Sequence, residues 1–282
     1  MKIGFIGAGK VGTTLAMAFV ENGLEVSGFW SRSAQSAAFA AGFTATQVFS
    51  DIASLVRSSD VLFITVTDDA IQTIYDTLTQ LPLNGKVICH TSGVYSVEDV
   101  FPNRTAYGAL GMGLHPLYPI HDKTTVWRTL RNSSFTIEGD SEATYQWVKI
   151  LRDIHLDVKV IASTHHATKS SASLASNFYC ALVEQSLLLM RHCGFSEHES
   201  LTTQKPRMLA NLDPMLNQGT ETLTRSIEGN DVDTVEKHLN TLTCKPARQR
   251  YAATALACIE RAMAKHPTRD YGSLKNLLSQ YA

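Results

Sequence analysis

The amino-acid sequence predicts an α/β half built on a parallel sheet, followed by an all-helical half. From Lys2 to about Ile161, short β-rich runs alternate with helical patterns, which argues for parallel strands covered by helices. Beyond Ser163 the pattern turns to long helical segments with no convincing strand, so the expected domains are residues 1–162 and 163–282. A third observation lies at the start of the chain. KIGFI runs into Gly7-Ala8-Gly9-Lys10-Val11-Gly12 and then into a helix whose apolar positions Val11, Leu15, Ala18 and Phe19 recur with helical period.

KIGFI is the first strand, and each glycine after it has its own task. Gly7 permits a tight turn, Gly9 lets backbone approach a pyrophosphate, and Gly12 lets helix and strand pack closely. The helix start adds N–H groups and positive dipole, so Gly7 to Gly12, with Ala8, Lys10 and Val11, are expected to bind a dinucleotide. This makes the first half a Rossmann-like, doubly wound parallel sheet. The second strand, LEVSGFW, runs into Ser31-Arg32-Ser33, where NAD-selective folds place an acid for the ribose 2′-hydroxyl. A guanidinium and two hydroxyls suit a 2′-phosphate instead, so NADP(H) is the expected cofactor.

The strand DVLFITV leads to Val66-Thr67-Asp68-Asp69, at the carboxyl edge where such sheets bind ligands. Val66, Thr67 and Asp68 are expected near the cofactor. For Asp68 and Asp69 an alternative is the N-cap of a helix beginning Ala70-Ile71. KVICH continues into Thr91-Ser92-Gly93, small and polar residues expected on the nicotinamide side. LGMGLHP reads as a glycine-rich loop carrying His115 and able to close over the cleft, and SSFTIEG and LDVKVIA read as two further strands.

In the second half, the helix from about His165 to Cys193 is apolar on nearly every side and is expected to be buried. At 100° per residue, His166, Lys169, Ser170, Ser173, Asn177 and Glu184 share one stripe. Hydride transfer needs one proton handled on the substrate. Lys169 is the first candidate for that task, His166 the second and His115 the third, with Asn177 holding the substrate and Ser173 packing. Asp231 or Asp233 is expected to cap a helix bearing Val232, Val235, Leu239 and Leu242, and the last helices repeat through Ala255, Ile259 and Met263.

Lys plus Arg total 25 against 26 Asp plus Glu, and no basic run stands out, which argues against nucleic acid as a partner. No apolar run approaches about 18 residues and no signal segment precedes the first strand, so no membrane association is expected and the location expected is the cytoplasm. Five scattered cysteines (Cys89, Cys180, Cys193, Cys244, Cys258), never in a C-x-x-C spacing, read as reduced packing residues, with no metal site.

GAGKVG, WSRS, HTSG, LHPL, SASLASNFYCALV and LTRSIEGNDVDTVEKHL resemble, in that order and over nearly the whole chain, a family of dehydrogenases that join a Rossmann-like half to a helical C-terminal domain of unknown function. More distantly the layout resembles the superfamily of 6-phosphogluconate dehydrogenase, 3-hydroxyisobutyrate dehydrogenase and pyrroline-5-carboxylate reductase, in which helical domains pair in a dimer and complete the active site. The resemblance implies this fold and a nicotinamide cofactor. The sequence departs from the family in two places. Thr168-Lys169 stands where members carry Tyr-His, and Arg225-Ser226 and Gly229-Asn230 replace Gly-Pro and Arg-Gly in the later motif. The expected function is an NADP(H)-dependent oxidoreductase acting on a small carbonyl, hydroxy acid or imine, as a homodimer through the C-terminal helices; the alternative is a non-catalytic NADP(H)-binding sensor or scaffold.

Overall fold

The computed structural model describes residues 1–162, 171, 173–218 and 226–282. Lys169 and His166 lie outside the described residues, as does Arg225. The first elements are β1 (Lys2–Ile6), α1 (Lys10–Glu21), β2 (Glu25–Trp30), α2 (Ala34–Thr44), β3 (Gln47–Val48), α3 (Ile52–Arg57) and β4 (Val61–Ile64). They are followed by α4 (Ile71–Leu78), β5 (Val87–His90), α5 (Val97–Val100), β6 (Leu110–Pro116), β7 (Ser134–Gly139), α6 (Ser141–Asp153) and β8 (Asp157–Val160). The strands form one sheet in the order β3-β2-β1-β4-β5-β6-β7-β8. Every pairing is parallel except β6 with β7.

Both faces of the sheet are covered, as near-continuous apolar strands require. Ile3, Phe5, Val61 and Phe63 enter one core, while Ile6, Leu62 and Ile64 enter the other, following the two-residue pleat. On the first face, Phe63 meets Trp147 of α6 at 5.0 Å and Phe5 at 5.3 Å between ring centres. The helical period of α1 buries Leu15, Ala18 and Phe19 on that same face and half-buries Val11.

One reading of this half is corrected, and one strand was not expected. LGMGLHP is no loop: it is β6, an interior strand between β5 and β7. Its glycines serve lateral space, not turning. A Cβ on Gly113 would stand 2.6 Å from Glu138 Oε1 and 2.8 Å from His90 Nε2, and one on Gly111 2.5 Å from Arg104 Cδ. On the other face Met112 and Leu114 are fully buried. The short strand β3 also had no sequence cue, since Gln47 and Val48 are both exposed and show no burial pattern.

The chain divides into two compact units, Met1–Phe178 and Tyr179–Ala282. The second contains α7 (Tyr179–His192), α8 (Glu197–Gln218), α9 (Val232–Thr241), α10 (Lys245–Lys265) and α11 (Gly272–Ser279). Its core gathers Val235, Leu239, Ala252, Ile259, Leu274 and Leu278. Asp231, not Asp233, caps α9, accepting the Thr234 N–H at 3.0 Å. Ala255 and Ile259 are buried and Met263 is exposed.

The expected burial of the helix from His165 to Cys193 is not found. None of its described residues from Leu174 to His192 is buried; Leu174 is 61% and Phe178 59% exposed. An apolar surface in a sequence says what should be covered, not that the same chain covers it. Residues Leu174–Phe178 are also π-helical, so a stripe drawn at 100° per residue does not continue through them. Among the described residues no helix is long and apolar enough to cross a membrane, and all five cysteines are free.

Candidate functional site

A cavity of about 430 Å³ opens at the carboxyl ends of β1, β2 and β4, lined by Gly7, Ala8, Gly9, Ser31, Arg32, Val66 and Thr67 among others. Gly7 adopts φ +111°, a region open to glycine. Its N–H donates to the Trp30 carbonyl at 2.8 Å, and the Thr65 hydroxyl donates to its carbonyl at 2.8 Å. Gly12 presses α1 against the sheet, since a Cβ there would stand 2.3 Å from Thr65 Oγ1. Gly9 is the reverse case: a Cβ would meet nothing within 4 Å.

α1 therefore begins at an open glycine, with no side-chain cap and no acidic residue in its first turn. Its first N–H groups and positive dipole end are free of an internal anion, which fits a pyrophosphate. Lys10 is exposed on that turn, and Val11 packs toward the core. At β2, Ser31 and Arg32 line the cavity while Ser33 caps α2, accepting the Ser36 N–H at 3.2 Å.

At β4 the acidic residue on the cavity is Asp69. Asp68 opens the 3-10 turn Asp68–Ala70, and neither that turn nor α4 takes a side-chain cap. The Thr67 hydroxyl, donating to the Asp69 carboxylate, holds that carboxyl below its ordinary pKa, and the Arg32 charge adds to this. Thr65, Trp30, Ser36, Thr73 and Ile74 also line the cavity without having been named from sequence. Two signals pointed to some of them: Ser36 sits on the turn that Ser33 caps, and Thr73 and Ile74 stand one helical turn beyond Asp69.

Along the same sheet edge, β5 leads into Thr91-Ser92-Gly93, which do not line this cavity. Ser92 Oγ accepts the N–H groups of Val94 at 3.0 Å and Tyr95 at 3.4 Å, fixing the turn. The structure brings His115, at the end of β6, onto it. His115 Nδ1 lies 3.2 Å from the Thr91 carbonyl, which only accepts, so Nδ1 carries the proton. The ring rests directly over Gly93, where a Cβ would be 2.6 Å from Nε2. Asn177 is exposed in the π-helical turn.

Residues 1–116 match the Rossmann-like domain family, and residues 133–258 match the domain of unknown function DUF2520, whose span thus takes in β7, α6 and β8 of the sheet. Among curated proteins nothing matches significantly. A Bacteroides fragilis protein provisionally designated an NADP oxidoreductase is similar at 20% identity, with 92% of this chain and 98% of that one covered and a TM-score of 0.69. An imine reductase from Pseudomonas sp. is similar at 19% identity, 94% of each chain covered, TM-score 0.61. A reductive aminase from Aspergillus terreus, solved with NADPH and ethyl-5-oxohexanoate, is similar at 17% identity, with 99% of this chain and 92% of that one covered and a TM-score of 0.60. At these identities the likeness is one of fold. With the glycine turn and the eight-stranded sheet in place, the two matches show a chain that carries a Rossmann-like domain followed by a C-terminal DUF2520 domain.

Proposed function

We propose that this chain is an NADP(H)-dependent oxidoreductase that moves a hydride to or from a small carbonyl, hydroxy acid or imine. One observation carries the cofactor choice: a single cavity joins the open N-terminus of α1 to Ser31 and Arg32. The helix end suits a pyrophosphate and the guanidinium a 2′-phosphate. The likeness to a reductive aminase solved with NADPH supports the same choice. Bound there, the nicotinamide supplies the hydride chemistry, and the chain's own groups orient the substrate and handle a proton.

For that proton, His115 has a defined setting, with Nδ1–H held by Thr91 and the ring over Gly93. Lys169 and His166 remain candidates by sequence, with Asn177 for substrate contact. Exposed Leu174, Phe178, Leu182 and Leu188 support a homodimer through the C-terminal helices, and free, scattered cysteines support a cytoplasmic setting. The functional division we propose is 162/163, shortly after β8, and it differs from the boundary of the two compact units at Phe178/Tyr179.

The test follows NADPH absorbance while the protein is offered keto acids, aldehydes and cyclic imines. Oxidation with one of these classes, abolished in His115→Ala or Lys169→Met with NADPH binding retained, supports the enzyme and assigns the proton donor. NADPH binding with no oxidation of any class would favour a sensor or scaffold. Light scattering checks assembly: a dimer is expected, and a monomer at micromolar concentration contradicts it.

A further inference from the structure

His90, Gly113 and Glu138 form one row across three strands, for β5 pairs His90 with Gly113 and β7 pairs Glu138 with the same glycine. The missing side chain at Gly113 lets Glu138 Oε1 come within 3.5 Å of His90 Nε2, both side chains being buried at 10% and 1% exposure. The same Oε1 accepts the Val97 N–H at 2.9 Å. His90 and Val97 bracket the loop 91–96, so one carboxylate touches both ends of it. The His90 ring is held edge-on to Phe101 at 5.5 Å. Glu138 Oε2 and both ring nitrogens of His90 make no hydrogen bond, so Glu138 meets His90 by close contact alone and Val97 by a hydrogen bond. Such a pair is costly to bury where apolar side chains would pack, which asks for a role beyond filling space.

That role lies at the first residue of the loop, next to His90, where the Thr91 carbonyl holds the His115 ring. We propose that Glu138, with His90, is a positioning residue: it holds the Val97 end of loop 91–96 by a hydrogen bond and packs against His90 at the start of the loop, and thereby fixes His115 as its Nδ1–H tautomer. The catalytic meaning of this rests on the oxidoreductase reading; the geometry does not.

The test is long-range ¹H–¹⁵N NMR of the histidine rings in the full chain without cofactor, with His115→Gln assigning the signal. The unaltered protein should show His115 as a single Nδ1–H tautomer. Glu138→Leu should lose that pattern, and Glu138→Gln, whose amide oxygen still accepts from Val97, should restore it. A merely structural Glu138 would lower the melting temperature in Glu138→Leu and leave the His115 tautomer unchanged, and that result overturns the proposal. Should Glu138→Leu fail to fold, His90→Phe keeps a ring against Phe101 while removing the contact, and is read by the same two outcomes. Failure of the unaltered protein to bind NADPH would remove the oxidoreductase reading but leave the tautomer result standing.

Discussion

Arg32 and Asp69 share one cavity, and the guanidinium's charge helps hold the Asp69 carboxyl ionised. A 2′-phosphate drawn to Arg32 would therefore enter a site that already contains a negative group. Asp69→Asn should raise affinity for NADPH by less than about tenfold, because both charges are solvated and screened. Affinity for NADH should change less. Fluorescence titration at low and high salt checks this, and the NADPH gain should shrink as salt rises.

Gly9 and Gly12 belong to one motif but should fail in different ways. In Gly12→Ala the new methyl would press on Thr65 Oγ1 and on the Gly7 carbonyl, at 2.3 Å and 2.5 Å. A loss of about 1–3 kcal/mol in urea unfolding is expected from such overpacking. In Gly9→Ala the methyl meets nothing, so unfolding should be unchanged while cofactor affinity falls.

That contrast shows what was legible in the sequence. The spacing of Gly7, Gly9 and Gly12 and the helical period of Leu15, Ala18 and Phe19 run along a few residues and were readable there, although Thr65, against which Gly7 and Gly12 pack, was not. Gly111 and Gly113 were not, because their reason lies in side chains of other elements, Arg104, His90 and Glu138. Asp69 could not be told from Asp68 without the phase of the 3-10 turn. The apolar helix after residue 170 was visible as a surface needing cover, but its exposure within one chain was not.

Arg104 offers a test of stability against pH. It is 6% exposed and donates to Asp140 at 2.6 Å and 2.8 Å and to Glu98 at 2.8 Å and 3.0 Å, while Asp140 also accepts the Gly111 N–H at 2.7 Å. The Arg104 hydrogen bonds lower both carboxyls below their ordinary values of 3.8 and 4.5. Their contribution is therefore complete above those values and is lost as pH falls through the lowered folded-state ones. Arg104→Met should cost about 3 kcal/mol at pH 7, by stranding Asp140, and should flatten the loss of stability below about pH 4. Urea midpoints measured from pH 7 down to pH 3 check both, and an unchanged acid limb would contradict them.

Selectivity for NADP(H) depends most on Arg32 reading a 2′-phosphate, and a paired fluorescence titration with NADPH and NADH tests that directly. The unaltered protein should bind NADPH more tightly by at least about tenfold, and Arg32→Ala should erase most of the difference, as expected for a charge-assisted contact. Equal affinity for the two cofactors in the unaltered protein, or a preference that survives Arg32→Ala, would contradict it.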